Sequence, residues 1–174
     1  MINTFNFMKY KTKRLNIREI TPKDIAPLLR IYQKGENMRY VSDGKFDWTA
    51  LELMSKYKKT NKDYDKGIGI FAIELIENNE IIGEIGLFDS FHDFSKLEIG
   101  YIIDCEFQSK GFGKEACMGL LKYAKEKLNA QSIIARMYSK NLSSVKLSES
   151  CGMVKLSKKF TDNNELYYTF EKQL

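Results

Sequence analysis

The sequence predicts an α/β fold of the α+β kind: a mixed, mostly antiparallel sheet of about seven strands flanked by about four helices. Three observations carry this expectation. Apolar runs of strand length come in adjacent pairs, as in "IGIFAIELI" followed by "EIIGEIGLF". One stretch alone reads strand–helix–strand, from "KLEIGYII" through an amphipathic pattern to "QSIIARMYS". The chain then closes with two further apolar runs, so hairpins surround a single βαβ unit and a doubly wound parallel sheet is excluded.

Each element follows from its residues. "TKRLNIREI" alternates around Leu15, Ile17 and Ile20, which predicts the first strand. Thr21 is a good N-cap and Pro22 suits the first helical position, with Ile25, Leu28, Leu29 and Tyr32 at helical spacing. Asp47 is expected to open a second helix through Leu51, Met54 and Tyr57. Asn78-Asn79 within "ENNE" suits a tight hairpin between the next two strands. From Gly113 to Leu128, Cys117, Leu120, Leu121, Ala124 and Leu128 recur as one apolar stripe, which predicts a strong amphipathic helix. "LSSVKLSES" reads as a short helix ended by Gly152. "MVKLSKKF" and "ELYYTFEK" form a closing hairpin.

The 174 residues are expected to form a single domain, 1–174, large enough to bury a core. A hydrophobic share of 43% beside 29% charged residues is that of an ordinary globular chain. The opening "MINTFNFMKYKTKRL" has no apolar run behind a basic start, so no secretory signal is expected and a cytoplasmic location is. No segment approaches a membrane span, and no membrane partner is expected. Cys105, Cys117 and Cys151 are too scattered for a disulfide framework, and with His92 the sole histidine no metal site is expected. The net charge of +5 favours an anionic ligand, yet without a basic-aromatic stripe it does not point to nucleic acid. The lysines of "SKYKKTNKDYDK" read as a solvated helix face.

The stretch with the clearest chemistry is "QSKGFGKEA", Gln108 to Ala116. Two glycines flank Phe112 just before a helix begins, a combination that offers free N–H groups to an anion such as a phosphate. A Walker-A loop is excluded, because Gln108 stands where its first glycine belongs and Glu115 where its Ser or Thr belongs. "GFGKEA" formally satisfies a dinucleotide fingerprint, but Asp104 through Lys110 separate it from the strand end, and the next strand ends "MYSK" with no acidic residue for a ribose.

Taken with its surroundings, "LEIGYIIDCEFQSKGFGKEACMGLLKYAKE" resembles the GNAT superfamily of acetyl-CoA-dependent N-acetyltransferases, and most closely its ribosomal-protein-alanine and spermidine acetyltransferase branch. Gln108, Gly111 and Gly113 meet the pattern Q/R-x-x-G-x-G/A, preceded by "EIGY" and followed by Asn141 and "CGM". The resemblance implies the GNAT-like acyl-CoA N-acyltransferase fold, acetyl-CoA as cosubstrate, and transfer of acetyl to a primary amine by direct attack in a ternary complex. It implies that amides of Gln108, Ser109, Lys110, Gly111, Phe112, Gly113 and Lys114 hold the diphosphate, with Lys110 and Lys114 adding charge. It further implies that the "LEIGYII" strand carries a bulge and splays from "QSIIARMYS". The pantetheine arm would then run along Tyr101, Ile102 and Ile103, one of whose amides meets the thioester oxygen. Asn141 and Ser144 would touch the cofactor, with Ser143 and Ser144 also reading as helix caps.

Glu98, a carboxylate on an otherwise apolar strand, is the candidate base for the incoming ammonium. Many relatives carry a tyrosine at the position of Ser148 to protonate the leaving thiolate. Serine there leaves three options open: Ser148 acting through water, substitution by another group such as Tyr138, or no dedicated acid. Phe88, Asp89, His92, Tyr40 and Trp48 are candidates to wall the acceptor site, and Asp89 or Glu84 to attract a cationic amine. The acceptor is an amine on a small molecule, a peptide or a protein N-terminus, and a monomer or homodimer is expected. The rival reading is a non-catalytic acyl-CoA-binding module of the same fold.

Overall fold

A computed structural model describes residues 9–161 and 164–174. The opening residues 1–8, on which part of the leader reading rests, lie outside the described residues. Eight strands form one sheet: β1 (Lys9–Lys11), β2 (Leu15–Glu19), β3 (Gly69–Leu75), β4 (Ile81–Phe88), β5 (Lys96–Ile103), β6 (Ser132–Tyr138), β7 (Val154–Phe160) and β8 (Leu166–Gln173). Their order is β1-β2-β3-β4-β5-β6-β8-β7. Among the described residues only β5 and β6 run parallel, across one βαβ unit. The count exceeds the expected seven by β1, a three-residue edge strand too short to leave a periodic signal.

Among the described residues five α-helices accompany the sheet: α1 (Ile25–Tyr32), α2 (Gly35–Met38), α3 (Ala50–Thr60), α4 (Phe112–Leu128) and α5 (Leu142–Ser150). Alternation along the strands sends Ile70 and Ile102 to one face, where Leu28, Tyr32, Leu53 and Tyr57 of α1 and α3 pack. Phe71, Ile85, Leu97 and Ile99 point to the other face, against Leu120, Leu121 and Ala124 of α4. The expected α4 begins where the sequence places it, with Gly111 in the left-handed region at φ +82° as its N-cap.

Two helix readings need correction. Pro22 opens a 3₁₀ turn, Pro22–Asp24, whose Asp24 carboxylate accepts from the Thr21 N–H at 2.7 Å before α1 proper begins. The second expected helix begins not at Asp47 but after Thr49, which caps α3 reciprocally with Glu52. Its buried stripe is Leu53 and Tyr57, whereas Leu51 and Met54 are exposed. The apolar spacing alone did not distinguish these two faces.

The sheet's decisive feature is a divergence. β5 and β6 pair from Lys96↔Ser132 to Ile99↔Ala135 and no further. Beyond that point β5 stays with β4, through Ile85↔Tyr101, Glu84↔Ile102 and Gly83↔Ile103. β6 meanwhile stays with β8 as far as Tyr138↔Tyr167. Two half-sheets therefore separate, leaving a wedge between Gly100–Ile103 and Arg136–Tyr138. The expected bulge in β5 is absent: its register with β4 is one-to-one from Glu98 to Ile103. Divergence of the two half-sheets, each held by its outer partner, opens the gap without one.

Candidate active site

The turn after β5 is fastened from both sides of the molecule. Asp104, 7% exposed, accepts from Lys34 Nζ at 2.8 and 2.9 Å and from Asn37 at 3.2 Å. Asn37 in turn accepts from the Cys105 N–H at 2.8 Å. Burial alone would raise the Asp104 carboxyl, but the hydrogen bonds from Lys34 and Asn37 outweigh it and hold the group below the usual carboxylate range. From the opposite side, Arg14 donates to Glu115 at 2.7 Å and to the Lys110 carbonyl at 3.0 Å, and its guanidinium lies 4.2 Å from the centre of the Phe112 ring. The Gln108 side chain donates back to the Ile103 carbonyl at 2.8 Å.

These ties hold the chain through left-handed conformations at Ser109 (φ +60°) and Gly111 (φ +82°). The first bond closing α4 runs from the Glu115 N–H to the Gly111 carbonyl at 3.1 Å. The N–H groups of Ser109 through Lys114 are left without an acceptor among the described residues. Six adjacent donors at the positive end of a 17-residue helix make an anion seat. Lys110 and Lys114 are exposed beside it.

A cleft of about 400 Å³ lies in the wedge between β5 and β6. Gly100, Tyr101 and Ile102 line one bank, and Ala135, Met137, Asn141 and Ser144 the other. Asn141 is the N-cap of α5, accepting from the Ser144 N–H at 3.2 Å, so the capping role expected of Ser143 and Ser144 belongs to Asn141. Ser148 is not on this cleft. It is 3% exposed, contacts the Met137 sulfur at 3.8 Å, and borders a separate small cavity with Cys117 and Cys151. The helical register of α5 turns position 148 inward, against β6 and α4.

Tyr101 borders both spaces. Its hydroxyl is buried and has no hydrogen-bond partner. Burial pushes the Tyr101 phenol up, and Ser144 and Ser148, close but outside hydrogen-bond geometry, offset this only in part. An orphaned buried hydroxyl costs about 1–3 kcal/mol.

The face toward α1 and α3 carries the charged groups. Glu98 is in a two-point ion pair with Arg136, Nε to Oε1 at 2.8 Å and NH2 to Oε2 at 2.5 Å. Phe88 and Tyr40 line the cleft as expected of acceptor walls. Trp48, Asp89 and His92 do not. Trp48 packs edge-on against Tyr32 at 5.2 Å and donates to the Lys45 carbonyl, Asp89 caps the N–H of Asp93, and His92 is exposed in the same loop.

Glu84 turned out to be central to the cleft's closed end. It is 4% exposed and accepts from Tyr32 Oη and Tyr57 Oη, each at 2.5 Å, and from Lys56 Nζ at 3.0 Å. Lys56 also touches the Tyr32 hydroxyl. Lys56 thus leaves the solvated face on which the sequence placed it, and with Tyr32 it is a cleft residue that pattern reading missed. The one available signal was a glutamate inside the apolar run "EIIGEIGLF". Among the described residues no group of three or more His, Cys, Asp or Glu is placed to hold a metal ion, and no helix is long and apolar enough to cross a membrane.

A sheet opened between two parallel strands beside a turn of unpaired amides defines an acyltransferase architecture, and comparison with known proteins agrees. The family model of the acetyltransferase (GNAT) domain matches residues 14–154, and the chain belongs to that family. It is 29% identical over 147 residues to the uncharacterized N-acetyltransferase YnaD of Bacillus subtilis (strain 168), spanning 84% of this chain and 82% of that protein. The acetyltransferase (GNAT family) from Bacillus anthracis shares the fold with a TM-score of 0.85 at 24% identity, covering 95% of this chain and 98% of that one. The spermidine N-acetyltransferase from Vibrio cholerae, solved in complex with CoA and spermine, does so with a TM-score of 0.78 at 22% identity, covering 91% and 95%. The protein is an N-acetyltransferase of the GNAT family.

Proposed function

We propose that the protein transfers acetyl from acetyl-CoA to a primary amine in a ternary complex, within a single catalytic domain. The observation that carries this reading is the run of unpaired N–H groups from Ser109 to Lys114 at the mouth of the β5–β6 wedge. Those donors suit a diphosphate, and the unpaired edge of Gly100–Ile103 suits an extended amide-bearing arm bound like an added strand. The Vibrio cholerae relative carries CoA, which supports the same ligand here.

Acetyl-CoA supplies an activated thioester; the chain supplies position and proton handling. A main-chain N–H among Tyr101–Ile103 stabilises the developing oxyanion. Asn141 and Ser144 face that strand across the cleft. Glu98, two residues before the wedge opens and with both oxygens held by Arg136, takes a proton from the ammonium through one water, because alkylamines titrate at about 10.4 and arrive charged. The orphaned Tyr101 hydroxyl, turned toward the cleft it borders, hydrogen-bonds the departing sulfur in place of Ser148 or Tyr138. Its burial keeps it protonated as a donor.

Gly111→Val tests the placement. A Cβ at Gly111 meets Arg14 NH2 at 3.3 Å and a branched residue is strained at φ +82°, so the variant loses some stability, while its side chain stands before the free amides. Titration calorimetry with coenzyme A should show binding in the parent and none in the variant, with unchanged far-UV circular dichroism. Near-parental affinity in a folded variant would refute the reading.

A further inference from the structure

We propose that Arg136, buttressed by Glu98, is the acceptor seat and that the acceptor is a free α-amino acid whose carboxylate binds the open end of the guanidinium. The inference rests on the acetyl-transfer reading and deepens it.

Position comes first. Glu98 is paired opposite Ile134, one step before the last β5–β6 pair, Ile99↔Ala135. Arg136 is the first residue of β6 beyond that pair and lines the cleft. The ion pair therefore stands at the apex of the wedge, where an arm lying along Tyr101–Ile103 ends. Geometry comes second. Glu98 occupies the Nε and NH2 side of the guanidinium, and NH1 has no partner among the described residues. The Arg136 side chain is 46% exposed and that of Glu98 only 15%, so the carboxylate acts as a buttress and the free end of the guanidinium faces outward. A second carboxylate fits that end with two parallel hydrogen bonds. The Phe91 ring, 5.8 Å from the guanidinium, closes one side. The adjacent charges, Lys96 and Glu171, are occupied with one another at 3.8 Å.

Charge comes third. The charged residues lining the cleft are Lys56, Arg136 and Glu84, and both oxygens of Glu84 are already taken by Tyr32, Tyr57 and Lys56. No carboxylate on the lining is free to receive a polycation such as spermine. A protein N-terminus brings an ammonium but no adjacent carboxylate, and would leave Arg136 unmatched. A free amino acid carries, beside its amine, the carboxylate that the open end of Arg136 can take. In the reaction the N–C bond forms, the C–S bond breaks and sulfur keeps the electron pair. Of the two protons the nitrogen loses, one passes to Glu98 and on to solvent, and the other completes the thiol. The product is an N-acetylamino acid.

The experiment measures thiol release from acetyl-CoA with the protein amino acids, their α-amides, spermidine and putrescine. Amino acids should be acetylated with a KM at least about tenfold below that of the matched amides, in the range a charge-assisted pair supplies. Arg136→Gln should collapse the acid-to-amide ratio, and Arg136→Lys should restore part of it, with the KM for acetyl-CoA unmoved. A preference for spermidine, or a ratio unaffected in Arg136→Gln, overturns the inference while the cofactor reading stands. Coenzyme A binding without turnover of any amino acid also overturns it. Absence of coenzyme A binding would instead remove the acetyl-transfer reading beneath it.

Discussion

Replacing Glu84 by leucine should expose how much the buried network beneath the cleft contributes. Tyr32 and Tyr57 are 0% and 5% exposed, and each directs its hydroxyl at Glu84. Burial, with the Glu84 charge second, pushes both phenols up, so they remain donors throughout the accessible pH range. Leucine leaves both hydroxyls without the acceptor for their protons, although Tyr32 still accepts from Lys56, at about 1–3 kcal/mol each. Lys56 is different: its side chain is 24% exposed and can follow its stem out to water, so its loss costs little. Burial of the leucine methyls returns about 1–2 kcal/mol. The net is a destabilisation of about 3 kcal/mol. With a urea slope of about 2 kcal/mol per molar, the unfolding midpoint should fall by about 1.5 M at constant slope. Glu84→Gln keeps one acceptor oxygen and should lose less. A leucine variant within about 0.3 M of the parent, or a glutamine variant less stable than the leucine one, would refute the network's role.

Two further predictions concern acid and catalysis. Asp24, Asp104 and Glu115 are each buried enough to be raised on that account. Hydrogen bonds from Arg18 and Thr21, from Lys34 and Asn37, and from Thr12 and Arg14 outweigh burial and hold them low. Their folded-state values lie below the unfolded ones, so their stabilisation is complete only above about pH 5.5, begins to fall as the unfolded carboxyls protonate, and disappears as pH falls through the depressed values. Urea midpoints measured down to about pH 3 should drop steeply in the parent and less steeply in Asp104→Asn, which starts lower at neutral pH; equal slopes would contradict the assignment. Separately, Tyr101→Phe should reduce kcat about tenfold with little change in coenzyme A affinity, while Ser148→Ala stays within about twofold. The opposite ranking would return the leaving-group role to Ser148.

What the sequence disclosed and what it withheld divide along the range of the interactions. The turn and α4 were legible because Gln108, Gly111, Gly113 and the stripe from Cys117 to Leu128 are contiguous and obey one helical period. Asn79, at φ +60°, likewise announced its hairpin locally. The wedge between β5 and β6 was reached through family resemblance alone, since it depends on β6 keeping β8, whose residues come about thirty positions later. The accompanying expectation of a bulge failed for the same reason: nothing local to "EIGYII" reports which neighbour retains it. Lys56 and Glu84 are 28 residues apart, and a lysine amid "SKYKKTNK" looks solvated until the fold turns α3 over β4. Ser148 was assigned by position in a motif, but its inward orientation is set by packing against Met137.

The most direct test of the account is a crystal structure with coenzyme A bound. The diphosphate should lie within hydrogen-bonding distance of the N–H groups between Ser109 and Lys114, the pantetheine arm along Tyr101–Ile103, and the sulfur beside the Tyr101 hydroxyl. A diphosphate bound away from that turn, or an arm outside the wedge between β5 and β6, would contradict it.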